Sequence, residues 1–344
     1  MPIKTGIAAY GLSGQVFHAP FISAHPGFEL TAAVERHNKR IGTDYPGVCS
    51  VESFEEMLRI DEIELIVVNT PDATHFDMCR RALEAGKHVI VEKPFVASTS
   101  EAETLIEMAE KRGLLLTVYQ NRRWDNDFLT VCKIIDSGEL GRIVELQSSF
   151  QRFRPALAQS AWKEEPGPSR VGITRNLVSH LCDQAVVLFG MPQKLWATLG
   201  HLRDGSRIDD YSLAVLLYPQ LKVVLRASML VREEAPRFAV HGTKGSYVKF
   251  GTDPQEHLLR YEKATPSCSV WCTEQESEWG ILNTESGRAP YPSVAGNYMH
   301  FYDNIYDVIR KGKPAEITHT EMMDDIRILD AIFESDRAGM TISF

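Results

Sequence analysis

Long apolar runs are missing from this chain. Its longest aliphatic runs, such as Leu213-Ala214-Val215-Leu216-Leu217, reach about five residues, far below the roughly 20 needed to cross a bilayer. A Cys-x-x-Cys pair is missing too. The six cysteines stand at 49, 79, 132, 182, 268 and 272, the scatter of small buried thiols in a reducing compartment, not of a disulfide framework. No metal site is expected from that spacing. Positive charge is in deficit. With 37 Lys and Arg against 46 Asp and Glu, the formal net charge is −9, which leaves no overall field to attract nucleic acid or an anionic membrane. There is no internal repeat and no low-complexity tail. Met1-Pro2-Ile3-Lys4-Thr5 lacks the layout of a signal peptide, so the expected location is the cytoplasm.

What is present is ordinary globular material. The 344 residues are 44% hydrophobic and 24% charged, enough for a core in each of two domains. The first third alternates strand-like and helix-like segments. Strands are expected at Ile3–Ala9, Phe28–Val34, Leu65–Asn69, His88–Val91 and Leu114–Val118, and helices at Gln15–Ala24, Asp72–Ala85 and Ser100–Arg112. Ser53-Phe54-Glu55-Glu56 fits a capping box that opens a further short helix. Such alternation predicts a doubly wound parallel sheet, with ligands at the carboxyl ends of its strands. The second half breaks the pattern. A helix at Asp127–Ser137 and a strand at Ile143–Arg152 precede a loop at 154–172 that is rich in Pro and Gly, and a helix at Asn176–Phe189 follows it. Strands follow at 195–201, 211–217, 222–231, 238–242 and 246–250, then an irregular stretch at 263–296 and two closing helices. Short polar turns such as Gly242-Thr243-Lys244-Gly245 predict a mostly antiparallel sheet. The expected division is 1–122 and 123–344.

The first strand runs into Ala9-Tyr10-Gly11-Leu12-Ser13-Gly14, a G-x-G-x-x-G fingerprint with alanine in the first glycine position. Gly11 would let the backbone approach a pyrophosphate, with Leu12 and Ser13 in the same turn, and Gly14 would let the helix pack tightly on the sheet. An ordinary strand–helix turn is the alternative. Glu35 ends the second strand, 21 residues after Gly14, where an acidic residue can take the ribose 2′-hydroxyl of NAD. Arg36 follows at once, and could pair with the 2′-phosphate of NADP or stack on adenine. Glu35 would repel that phosphate, so the cofactor expected is NAD over NADP.

Glu92-Lys93-Pro94 after the His88–Val91 strand, and Asn69-Thr70-Pro71 with His75 at and after the end of the Leu65–Asn69 strand, resemble the Gfo/Idh/MocA oxidoreductases. Within that family the chain is similar to the scyllo-inositol dehydrogenase-like branch, through AYGLSGQVFHAPF, VYQNRRWDNDFLT, QRFRP, SHLCDQAVVLFGMP and GSYVKFGTDPQE. The resemblance implies a Rossmann domain followed by an α+β domain on a large open antiparallel sheet. It also implies homodimers or homotetramers through that sheet, and a sugar, inositol or related polyol as substrate. It makes Lys93 the catalytic lysine, places Glu92 near the nicotinamide ribose, and assigns Thr70, Pro71 and His75 to the cofactor side. Lys93 precedes proline, so its backbone is extended, and a Lys93–Pro94 cis bond is open to it. A fixed ammonium there could stabilise negative charge on a carbinol oxygen.

On the Asn176 helix, Asn176, His180 and Asp183 share a narrow face at 100° per residue. The family pattern is Asp-x-x-x-His, with the histidine moving the substrate's proton. His180 matches, while Asn176 replaces the carboxylate. The approach Ser169-Arg170-Val171-Gly172-Ile173-Thr174-Arg175 also departs, and Arg170, Arg175 and Val178 are expected to reshape the pocket. Tyr119, Arg123, Trp124, Asp125, Arg152, Trp162 and Tyr298 are substrate-side candidates by resemblance, and each could instead be structural. The reading is an NAD(P)-dependent dehydrogenase of a cyclic polyol or sugar. The alternatives are a nucleotide-sensing protein that kept the fold without turnover, and an NAD-dependent glycosidase.

Overall fold

The computed structural model describes residues 1–157, 172–266 and 271–344; Trp162, Arg170 and Cys268 lie outside them. The chain divides into two compact units. The first is Met1–Asn121 with Gln255–Trp271 and Asn297–Met323; the second is Arg122–Pro254 with Cys272–Gly296 and Asp324–Phe344. A linear division at 122/123 therefore misplaces two segments, and aromatic packing is the reason. Phe21 stacks on Tyr302 with centroids 5.7 Å apart, Phe301 meets Tyr119 edge-on at 4.9 Å, and Phe28 packs against Tyr302 and Tyr306. Arg310 adds a two-oxygen ion pair to Glu64 at 2.7 and 2.8 Å.

The first unit holds a six-stranded sheet of β1 (Ile3–Ile7), β2 (Phe28–Val34), β3 (Cys49–Val51), β4 (Leu65–Val68), β5 (His88–Val91) and β6 (Leu116–Val118), in the order β3-β2-β1-β4-β5-β6. Every pair in it is parallel. β4 is buried along its whole length and β5 at all but its first residue, as their unbroken apolar runs require. The strand order reverses between β1 and β4, which puts the ligand crevice of such sheets at their carboxyl ends.

The expected Gln15–Ala24 helix has two parts. A π-helical turn, Gly14–His18, leads into an α-helix, Ala19–Ala24, and the Ala19 N–H reaches back five residues to Gly14 O. Pro20 has no N–H with which to continue an i→i−4 ladder. The capping box is half formed. Ser53 Oγ accepts from Glu56 N at 3.2 Å, but the Glu56 carboxylate accepts from Glu52 N, one residue before the cap.

The second unit carries β7 (Ile143–Gln151), β8 (Lys194–Gly200), β9 (Tyr211–Leu217), β10 (Lys222–Ser228), β11 (Phe238–Gly242), β12 (Gly245–Lys249), β13 (Gly280–Thr284), β14 (Gly287–Tyr291) and β15 (Ile342–Ser343), in the order β14-β13-β12-β11-β7-β10-β9-β8-β15. Among the described residues only β7 and β10 of this sheet pair in parallel, so the sheet is mostly antiparallel. The β13–β14 hairpin replaces part of the irregular stretch expected at 263–296. One face is sealed by the Asn126–Ser137 and Ser179–Phe189 helices and by the C-terminal helix beyond Asp324, through Phe128, Val131, Leu181, Ala185, Ile328 and Ile332. The other face sets Trp196, Val215, Val224, Gln147, Ala239 and Val248 side by side across six strands. Among the described residues no helix is long and apolar enough to cross a membrane.

Candidate active site

In the first unit the β1 tip is clamped to β4. Asn69 Oδ1 accepts from Ala9 N at 2.9 Å, and Asn69 Nδ2 donates to Ala9 O at 2.8 Å. This fixes the glycine turn at the switch point. A Cβ on Gly14 would lie 2.4 Å from Ala9 O, so only glycine allows the helix this close. A Cβ on Gly11 would meet nothing within 4 Å, so the turn is open on the side where a pyrophosphate backbone contact would form. Leu12 is exposed. Ser13 occupies the N-cap position without capping the helix; its hydroxyl donates to Glu92 instead. The leading N–H groups therefore have no side-chain cap, which suits an anion. The turn, its helix end and the Asn69 clamp fit a dinucleotide.

Glu35 is held by donors from its own loop and from β3. Oε1 accepts from Arg40 N at 2.7 Å and Ile41 N at 3.2 Å, and Oε2 from Ser50 Oγ at 2.8 Å and Ile41 N at 3.2 Å. The buried carboxylate caps the Ile41–Asp44 turn and ties it to the start of β3. The carboxylate on which the NAD preference was argued is thus engaged by donors of its own loop and of β3. Arg36, His37, Asn38, Lys39 and Arg40 are all exposed on the loop that Glu35 closes.

His75 is also spoken for. Its buried ring lies between Thr70 O (2.9 Å) on one side and Pro94 O (3.0 Å) and Phe95 O (3.1 Å) on the other. It straps the β4 tip to the Lys93–Pro94 turn, whose peptide bond is cis. Thr70 Oγ1 lies 2.6 Å from Thr74 Oγ1, which donates to Pro71 O. Glu92 continues β5 through its N–H to Val68 O at 2.9 Å. Its carboxylate meets His18 Nε2 at 3.1 Å. Burial pushes this carboxyl up, but the His18 hydrogen bond and field, with Lys93 and Ser13, hold it down at about 2. Tyr119 and Tyr298 are buried. Tyr119 donates to Phe17 O at 3.1 Å, and Tyr298 N donates to Gln255 Oε1 at 2.8 Å.

In the second unit a π-helical turn, Thr174–Val178, precedes the regular helix Ser179–Phe189. The 100° wheel therefore applies from Ser179 onward, and Asn176 sits on the wider turn. His180 and Asp183 are buried. Arg123 grips the Asp183 carboxylate with Nε at 2.9 Å and Nη2 at 2.6 Å. Arg122 Nη1 donates to the buried Asp125 at 3.1 Å, and Trp124 is buried. Gln184 joins two of these elements, donating to Arg122 O and accepting from Arg237 at 2.9 Å each. Arg237 lies between the rings of Phe150 and Phe238, 4.1 Å from each. Arg175 donates to Asp330 at 3.2 Å and lies over the Phe333 ring, and Val178 is fully buried. Gly172 is obligatory, since a Cβ would overlap Asp209, which accepts from Thr174 N and Oγ1. Arg152 lines a cavity of about 250 Å³ with Gln151, Phe153 and Arg232.

Asn69, His18, Tyr302, Gln184 and Arg237 were not among the expected site residues. His18 lies inside the quoted glycine-turn motif; Tyr302 gives no local signal.

Two family models match. One, an oxidoreductase family with an NAD-binding Rossmann fold, covers residues 3–120; the other, the GFO/IDH/MocA C-terminal domain, covers 128–248. The scyllo-inositol 2-dehydrogenase (NADP(+)) IolW of Bacillus subtilis strain 168 is 37% identical over 344 residues, spanning 99% of this chain and 95% of that protein. The uncharacterized oxidoreductase YdgJ of Escherichia coli K12 is 36% identical over 344 residues, spanning 99% and 98%. A crystal structure from Bacteroides fragilis NCTC 9343 is 48% identical, with a TM-score of 0.91 and 100% of both chains covered.

Proposed function

The chain belongs to the Gfo/Idh/MocA family of oxidoreductases and is an NAD(P)-dependent dehydrogenase; we propose that it transfers hydride between NADP(H) and a carbinol or keto carbon of a cyclic polyol or sugar of the inositol kind. The observation that carries this reading is the first unit's strand-tip geometry. The open Gly11 turn, clamped by Asn69, stands at the switch point, and Glu92 and Lys93 follow β5 next to β4. The inositol chemistry rests on the relative IolW.

The bound nicotinamide supplies the hydride donor or acceptor. Lys93 donates a hydrogen bond to the reacting oxygen and stabilises its developing charge. Glu92, held as a carboxylate, accepts from the nicotinamide ribose. His180 exchanges the hydroxyl proton, with Asn176 orienting it without adding charge. Arg123 and Asp183 hold their geometry by a two-bond ion pair, the most directional kind. NADP is favoured because Glu35 is consumed by Arg40, Ile41 and Ser50, while Arg36 and Arg40 remain on the exposed loop. The first unit binds the dinucleotide. The second binds the substrate, and its outer face, with the Trp196–Val215–Val224 row, pairs subunits into homodimers or homotetramers in the cytoplasm.

Absorbance at 340 nm over inositols, inososes and aldoses tests the function. Net dinucleotide reduction or oxidation, with higher kcat/KM for NADP(H), is expected. Dinucleotide binding without turnover on any of them would favour a sensor, and hydrolysis without net redox a glycosidase; either overturns the proposal.

A further inference from the structure

His18 is fully buried and lies on the helix that follows the glycine turn. Its Nδ1 is 2.8 Å from Tyr302 Oη, and its Nε2 is 3.1 Å from Glu92 Oε1. The same carboxylate oxygen takes the Ser13 hydroxyl. The other oxygen, Oε2, takes the Lys93 N–H at a long 3.3 Å. Oε1 is thus fully engaged, while Oε2 retains acceptor capacity. The glycine turn, the β5 tip and the Met299–Lys311 helix meet in one buried polar chain, within a single compact unit.

The Tyr302 hydroxyl has two acceptors. It can donate to Phe17 O, 3.2 Å away, or to His18 Nδ1. Tyr119 donates to the same Phe17 O at 3.1 Å, so that carbonyl keeps a partner in both cases. When the imidazole is neutral, Tyr302 donates to Nδ1 and the ring proton sits on Nε2, facing Glu92. When it is charged, Nδ1–H donates to Tyr302, which turns to Phe17, and Nε2–H still faces Glu92. In both arrangements the Nε2–H faces Glu92.

We propose that His18 is a positioning residue for the dinucleotide: with Tyr302 behind it and Ser13 beside it, it clamps Oε1 of Glu92 so that Oε2 is presented to a cofactor hydroxyl. This rests on the reading of Glu92 as a ribose acceptor. The titratable groups around Glu92 are His18 from the glycine-turn helix, Lys93 next along the chain and Tyr302 from the Met299–Lys311 helix, with Tyr119 flanking His18 at 4.5 Å. Burial opposes the ionised carboxyl and His18 is first among the groups that offset it. Without His18 the carboxyl therefore protonates at a higher pH.

The test compares wild type, His18→Leu and His18→Gln. NADPH affinity is read by fluorescence from pH 5 to 8, and the Glu92 carboxyl by ¹³C NMR of the protein without dinucleotide, assigned with Glu92→Gln. In wild type, Glu92 contributes no acid-side loss of affinity. In His18→Leu, affinity falls about 10- to 100-fold and weakens further as pH drops, and the Glu92 signal titrates at higher pH. His18→Gln keeps an N–H donor near the Nε2 position and restores most of both. An affinity profile in His18→Leu parallel to wild type, an unmoved Glu92 titration, or a Gln variant no better than Leu overturns the clamp. If wild type binds no dinucleotide, the reading of the cofactor site fails, and the positioning role fails with it. An upward-shifted Glu92 titration in His18→Leu would then leave only the His18–Glu92 contact standing.

Discussion

Replacing Glu35 by glutamine changes one atom and removes one charge from a carboxylate that accepts from two backbone N–H groups and one hydroxyl. Hydrogen bonds to a charged acceptor contribute roughly 1.5–3 kcal/mol, against about 0.5–1.5 for neutral pairs. The amide oxygen can keep Arg40 N and Ile41 N, and the Ser50 hydroxyl can turn to accept from the amide nitrogen. The loss is then about 1 kcal/mol for each of two or three bonds, roughly 2–3 kcal/mol in all. For a unit of this size that lowers Tm by about 4–12 °C, measurable by scanning fluorimetry without any ligand. The loop bearing Arg36 and Arg40 loosens with it, so kcat/KM for NADP(H) should fall about 5- to 20-fold, or roughly 1–2 kcal/mol, while NAD(H) changes little. Arg36→Ala should lower kcat/KM for NADP(H) about tenfold or more with Tm unmoved, because its side chain is exposed. A Glu35→Gln variant that keeps its Tm within a degree and loses NAD(H) use instead would refute this reading. That pattern would mean the carboxylate works at the ribose.

The two glycines of the turn should separate by assay. Gly14→Ala should lower Tm, because its Cβ meets a backbone carbonyl, whereas Gly11→Ala should leave Tm alone and weaken dinucleotide binding about tenfold or more; equal Tm losses would contradict this. Lys93→Met should cut kcat by roughly 10²-fold with little change in dinucleotide affinity, the scale for losing one oxyanion donor, and near-normal kcat in a folded variant would remove it from the chemistry. Asn176→Asp places a carboxylate before His180, favours imidazolium and should move the histidine limb of the kcat/KM profile to higher pH, while His180→Ala should abolish that limb. An unshifted Asn176→Asp profile would mean that the two side chains do not communicate.

Strand periodicity was legible wherever burial alone decided it. His88–Val91, Tyr211–Leu217 and Phe238–Gly242 run over the spans their alternation or apolar runs predict. β3 is three residues at a sheet edge, too short to show a period. β14 carries Pro290, which reads as a strand breaker except at an edge such as this one. The π-helical turns escaped because an averaged 3.6-residue wheel cannot register a single wider turn. In the candidate site, residue types were legible and partners were not. Glu35 stands where a ribose-binding acid would, and only the reversal of the chain at Arg40 and Ile41 shows which donors take it. His18 and Tyr302 are 284 positions apart, and nothing local in either segment announces the other.

The discontinuous first unit also sets a timetable for synthesis. β1 to β6 are complete once residue 118 has been made, but the helix that buries Phe21, Phe28 and Tyr119 ends only at Lys311. At about 5–20 residues per second, a ribosome needs roughly 10–40 s to cover that interval. Throughout it a nascent sheet waits with uncovered aromatic rings, a surface that invites chaperones or other nascent chains. A polypeptide ending after the sixth strand would keep that surface permanently, so the nucleotide-binding half should aggregate alone and become soluble when a peptide spanning Asn297–Met323 is supplied in trans.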